Sequence, residues 1–212
     1  MAVEPGLRER KKEQTRALIA DTARRLFAER GFDQVPVAEV ARAADVSVGT
    51  VFNYFPTKED LVYGRLEAFE EQMLDALRDR SPGESIVDAL GRFLLEPRGL
   101  LASENQGDAD FLIALTRMIA ESPALLARER EVYERYTQSL AEQIAREMNA
   151  GPDDAEPWVI ANALIGVHRA LIDTARRGVL AGTPNRRVAR EVREQGRHAL
   201  ARLRDGLADL PG

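Results

Sequence analysis

The sequence predicts an all-α protein of about nine helices. Three observations carry that expectation. Apolar residues return at three and four positions along most of the chain, no stretch sustains the alternation that marks a strand, and clusters of Gly and Pro break the pattern at intervals. With 212 residues, 44% of them hydrophobic and 31% charged, the chain can bury a core and is too apolar for a disordered polymer.

The first helix is expected from Arg8 to Arg30, where Ile19, Ala23, Leu26 and Phe27 share one face. Glu29-Arg30-Gly31-Phe32 reads as a Schellman ending, with glycine in the left-handed position and Phe32 folded back on the last turn. Pro36 suits the first position of a second, two-turn helix carrying the stripe Val37, Val40, Ala41 and Ala44. Asp45-Val46 interrupts it, and Ser47 caps a third short helix through Tyr54. Thr57 and Asp60 form a capping-box-like start for a fourth helix that could reach Arg80. Later helices are expected over Glu84–Leu95, Asp108–Glu121, Pro123–Asn149, Pro157–Leu180 and Asn185–Leu210. The breaks between them are Pro97-Arg98-Gly99, Ser122-Pro123, Gly151-Pro152 and Gly182-Thr183-Pro184.

Composition narrows the function classes. No cysteine means no disulfide framework and no thiolate chemistry, and two histidines thirty positions apart offer little to zinc or a catalytic triad. No phosphate-binding glycine loop, GxSxG or HExxH is present, so neither an enzyme nor a metal or cofactor site is expected. No apolar run reaches the roughly 20 residues that span a bilayer, and the N-terminus lacks the apolar core of a signal peptide; a cytoplasmic protein is expected.

The net charge of −5 argues at first against a nucleic-acid partner. Its distribution weakens that objection: residues 1–60 hold ten basic and ten acidic side chains, and the whole excess of acid follows residue 60. Arg8, Arg10, Lys11, Lys12 and Arg16 against Glu9 and Glu13 give a local +3, Arg42 adds charge beside the turn, and Lys58 stands where a helix N-terminus favours phosphate.

Two short helices joined by a tight turn, with a longer one beside them, make a helix-turn-helix. On the third helix Val51 and Phe55, with Val46 before it, can pack inward, while Gly49, Thr50, Asn53 and Tyr54 lie opposite; period alone leaves Val48 and Phe52 unassigned at the boundary. Thr50 can donate to phosphate or touch a thymine methyl, Asn53 can pair with adenine, Tyr54 can reach phosphate, and Gly49 allows close backbone approach. Taken with Ser47, Val48, Phe52, Arg10, Lys11, Arg42 and Lys58, these are the candidate DNA contacts.

The segment Arg24–Leu61, RRLFAERGFDQVPVAEVARAADVSVGTVFNYFPTKEDL, resembles the N-terminal domain of TetR-type transcriptional regulators. That family's pattern joins FxxxGF, a V-x-x-V/I-A helix, A-G-V-S, G-T-hydrophobic-Y-x-H/Y-F and K-x-x-L. The resemblance implies a homodimer with a DNA-binding domain over residues 1–60, linked by helix four from about residue 57 to an effector-binding and dimerisation domain over 61–212. It implies a repressor of a palindromic operator, released by a small molecule. Three departures stand out: Asp45 replaces the usual turn glycine, Val35-Pro36 replaces the usual capping Thr, and Phe52 stands where the family commonly has a phosphate-binding Tyr.

In the C-terminal half, Trp158, Ile165, Ile172 and Val179 recur at sevens, with Ala161, His168 and Ala175 between them. The last helix repeats the theme with Val188, Val192, Gly196, Ala199, Leu203, Leu207 and Leu210, and two such helices from each chain would make a four-helix dimer interface. Ile165, His168, Ile172, Val179, Val192, Gly196, Ala199 and Leu203 are its candidate residues; intrachain core is the competing reading. A largely apolar effector pocket draws on Phe69, Met73, Phe93, Phe111, Leu115, Met118, Tyr133, Trp158 and Asn162, although such residues at helical spacing also serve as plain core. Residues 158–182 look similar to C-terminal domains of a TetR subgroup associated with acyl-thioester-type ligands. The rival to a DNA reader is a helical dimeric interaction module that uses the seam alone.

Overall fold

The computed structural model describes residues 6–63, 66–96, 98–103 and 105–206, and the described residues form helices joined by turns and short loops, with no strand among them. The helices are α1 (Leu7–Arg30), α2 (Val37–Ala43), α3 (Val48–Tyr54), α4 (Asp60–Tyr63), α5 (Leu66–Arg78), α6 (Ile86–Leu95), α7 (Gln106–Glu121), α8 (Pro123–Met148), α9 (Glu156–Leu180) and α10 (Asn185–Asp205). One turn of 3-10 helix, η1, covers Gly99–Ala102. The expected fourth helix is therefore described as α4 and α5, with residues 64 and 65 outside the described set; Pro97, Leu207 and Leu210 also lie outside it.

Two compact units emerge, Met1–Leu66 with Arg117–Glu129, and Glu67–Thr116 with Arg130–Gly212. The expected boundary at residue 60 thus differs from this division, in which the end of α7 and the start of α8 fold with the N-terminal helices.

In the first unit the core is the periodic set of each short helix. Ile19, Ala23 and Phe27 of α1, Val40 of α2, Val51 and Phe55 of α3 and Leu61 of α4 are all buried. Leu125 of α8 is buried as well, and its carbonyl accepts from the Tyr63 hydroxyl at 3.0 Å. Local caps fix the boundaries. Thr57 N–H donates to Asp60 Oδ2 at 2.9 Å and Asp60 N–H donates to Thr57 Oγ1 at 3.2 Å, the reciprocal capping box expected from the spacing. Pro36 is the N-cap of α2 rather than its first helical residue.

The end of α1 departs from expectation. Gly31 has φ +90° and ψ 146°, outside the left-handed helical region, so the ending is not a Schellman motif, although it still demands glycine. Phe32 does fold back, its ring edge-on to Phe27 at 5.2 Å. The Schellman pattern appears instead at the end of α2, where Val46 N–H donates to Ala41 C=O at 3.0 Å and Asp45 N–H to Arg42 C=O at 3.2 Å. Asp45, at φ +54°, occupies the position that glycine usually fills.

In the second unit α10 lies against α9, α6 and η1. Close approach is built from small residues: a Cβ on Gly196 would stand 2.3 Å from Leu95 Cδ2 and 3.1 Å from Leu171 Cδ1, and one on Gly178 would stand 2.8 Å from Val188 Cγ2. This corrects the expected dimer seam. Ile165, Val179 and Gly196 are buried within their own chain, because a seven-residue apolar repeat specifies a covered face without specifying whose helix covers it. Ile172, Val192, Ala199 and Leu203 remain half-buried. Among the described residues no helix is long and apolar enough to cross a membrane.

Candidate nucleic-acid interface and effector groove

The turn between α2 and α3 presents α3 in a defined register. Ser47 Oγ accepts the Thr50 N–H at 3.0 Å and lies 2.8 Å from Thr50 Oγ1, so one cap orders both hydroxyls at the start of the helix. Val51 and Phe55, each only 1% exposed, anchor the inner face, and Val46 is half-buried before them. Gly49 and Asn53 are exposed, Thr50 and Tyr54 half-buried. The two residues that period could not assign both face outward, Val48 at 40% exposure and Phe52 at 47%. A Cβ on Gly49 would meet only Ser47 Oγ, at an ordinary 3.7 Å, so nothing inside the chain requires glycine there.

The basic side chains divide into outward and inward sets. Arg10, Lys11 and Arg42 are exposed. Arg16 is drawn inward: its Nη1 donates to the Tyr54 carbonyl at 3.2 Å, and its guanidinium lies 4.9 Å from the Phe55 ring, holding the end of α3 against α1. Lys58 is a correction to the phosphate reading. Its Nζ donates to Phe32 C=O at 2.6 Å and lies 4.5 and 5.4 Å from the rings of Phe32 and Phe27. The carbonyl and two π faces hold the ammonium inside the unit. The nearby helix start also already carries the Asp60 carboxylate as its anion.

The second unit contains an aromatic cluster. Phe69 of α5 lies 5.2 Å from Phe93, 5.4 Å from Tyr136 and 5.0 Å from His168, with the last pair stacked at 23°. Tyr133 meets His168 edge-on at 5.8 Å. Burial, reinforced by the Arg98 charge, pushes the His168 imidazolium down to a pKa of about 4, and burial raises the Tyr136 phenol above its ordinary range. His168, expected in a seam between chains, thus packs inside its own chain. The physical reason is the aromatic wall that α5 and α8 set against that face of α9.

Beside the cluster, α8 and α9 border an open groove of about 550 Å³ whose walls include Tyr133, Arg135, Trp158, Asn162, Ile165 and Arg169. Of the expected pocket residues it brings together Tyr133, Trp158 and Asn162. Met73 and Phe93 are buried core instead, and Phe69 belongs to the aromatic cluster; Phe111 and Leu115 are half-buried on α7. Met118 is buried in the stretch of α7 that folds with the first unit. Asn162 spends its amide on the Trp158 carbonyl, 2.8 Å away. A second cavity, of about 430 Å³, lies among Ser103, Ile113, Val179, Thr183 and Asn185; polar turn residues form much of it, and no apolar periodicity singled it out.

A capped helix-turn-helix with an outward recognition helix, joined to a helical unit that contains a groove, defines a DNA-binding regulator of the ligand-responsive type. Residues 19–63 match the bacterial regulatory proteins of the tetR family, and residues 101–182 match the MftR C-terminal domain. The chain is 32% identical over 170 residues to the HTH-type transcriptional regulator TcmR of Streptomyces glaucescens, covering 79% of this chain and 75% of that one. It is 28% identical over 149 residues to the putative mycofactocin biosynthesis transcriptional regulator MftR of Mycobacterium tuberculosis, covering 70% and 73%. NalD of Pseudomonas aeruginosa, a secondary repressor of the MexAB-OprM efflux pump, shares the fold at a TM-score of 0.53 and 20% identity, over 88% of this chain and 97% of that one. The chain belongs to the TetR family of transcriptional regulators; it is not an enzyme.

Proposed function

We propose that the protein is a homodimeric repressor that acts in the cytoplasm, holds a palindromic operator through α3 of each protomer, and leaves it when a largely apolar small molecule binds the second unit. The outward face of α3 carries the reading: Gly49, Thr50 and Asn53 sit on a helix anchored by Val51 and Phe55, with Arg10, Lys11 and Arg42 exposed in the same unit. Dimer geometry would set two recognition helices about one DNA turn apart, on the order of 34 to 36 Å. The half-buried Ile172, Val192, Ala199 and Leu203, with exposed Val159 and Leu180 on α9, are the surface proposed for that pairing.

The test is a gel-shift titration against the DNA upstream of the chain's own gene. Preference over random duplex, sharply reduced by Asn53→Ala/Tyr54→Ala while light scattering still reports a dimer, is the expected result. Equal binding by wild type and variant would favour a dimeric module that does not read DNA.

The groove between α8 and α9 is the proposed effector site. Trp158 is the only tryptophan in the chain and is 49% exposed on the groove wall. Its fluorescence therefore reports occupancy directly, and a compound that releases DNA without changing that emission would place the effector elsewhere.

A further inference from the structure

Val48 and Phe52 stand one helical turn apart on α3, at 40% and 47% exposure, on the same outward side as Gly49 and Asn53. Most large apolar side chains of this unit are buried; these two are placed in water beside the polar Thr50 and Asn53. Phe52 has no hydroxyl and cannot donate to phosphate. In the major groove the one apolar feature of a base edge is the C5-methyl of thymine. We infer that Val48 and Phe52 form an apolar edge that reads a thymine methyl in each half-site, making them specificity determinants of the operator.

This inference rests on the DNA-binding reading above and adds a base preference to it. The mechanism is local. Ser47 fixes the first turn of α3 through its bond to Thr50, and Val51 and Phe55 lock the helix rotation, so the Val48–Phe52 edge has a set direction. Gly49 lies between them without a Cβ and leaves the edge free to approach a base plane. A methyl group lodged against both side chains covers apolar surface that is otherwise hydrated. Such burial is worth about 0.8 kcal/mol, or roughly fourfold in affinity per methyl.

The experiment begins with the full-length protein and a randomised duplex pool, from which bound DNA is enriched and sequenced. Each thymine of the enriched duplex is then replaced by deoxyuridine, which removes the methyl and keeps every hydrogen-bonding group. The expected result is a roughly fourfold loss at one symmetry-related position and about fifteenfold when both half-sites are changed. In Val48→Ala/Phe52→Ala, whose helical signal should be unchanged because both sites are exposed, thymine and uracil should bind alike. Uracil tolerated at every position overturns the proposal while leaving DNA reading intact. Discrimination that persists in the double variant also overturns it. An unenriched pool contradicts DNA reading itself, and this inference with it.

Discussion

The Arg128 guanidinium holds Asp60 Oδ1 through Nε at 2.9 Å and Nη2 at 2.7 Å, while Asp60 Oδ2 accepts the Thr57 N–H at 2.9 Å. One carboxylate therefore both starts α4 and ties it to α8, sixty-eight positions along the chain. The pair is partly shielded, with side-chain exposures of 29% and 14%, so it is worth more than a free surface bridge. Arg128→Ala should cost about 1 kcal/mol in urea denaturation, and Asp60→Ala about 2 kcal/mol because the cap is lost as well. Equal costs for the two would show that the cap contributes nothing.

Asp45 supplies a second test. At φ +54° it occupies a backbone region that glycine reaches without strain and branched residues reach only at a cost. Asp45→Gly should raise stability by about 0.5 kcal/mol, and Asp45→Val should lower it by more than 1 kcal/mol. A thermal melt decides, and a Val variant as stable as wild type would mean that the turn relaxes.

Much of this domain is legible in sequence because its determinants are local. Ser47 caps the helix that its residue type and place indicate, Thr57 the one that its spacing to Asp60 indicates, and Asp45 takes the turn. Lys58 is misread because the direction of a long side chain depends on where Phe27 and Phe32 come to lie, which no local pattern contains. Ile165, Val179 and Gly196 are misread for a related reason: periodicity gives a buried face, and the covering helix is a tertiary fact. The boundary positions Val48 and Phe52 needed the actual rotation of α3.

Gly196 and Gly166 contrast contact with open space. A Cβ on Gly196 would run into Leu95 and Leu171, whereas one on Gly166 meets nothing within 4 Å. Gly196→Ala should destabilise by about 1 to 3 kcal/mol through overpacking, and Gly166→Ala should stabilise by up to about 1 kcal/mol through helix propensity. Calorimetry on both variants checks the sign of each.

His168 predicts a pH dependence. Its folded pKa of about 4 lies below the ordinary 6.5, so the unfolded chain binds the proton more readily. This contribution to stability is complete above pH 6.5 and is lost as pH falls toward 4, with a slope of at most about 1.4 kcal/mol per pH unit. His168→Phe keeps the stack on Phe69 and removes the titration, so its denaturation midpoints should fall less over that interval. Parallel curves for the two proteins would show that His168 is not the group responsible.

The central claim is that α3 reads DNA sequence. Fluorescence anisotropy at about 0.15 M salt, with a labelled duplex from the chain's own upstream region against a shuffled duplex of equal composition, tests it most directly. The account predicts a preference of at least ~10³-fold, reduced in Thr50→Ala/Asn53→Ala to the roughly tenfold that the Val48–Phe52 edge retains. Equal affinity of the wild-type protein for the two duplexes would contradict it.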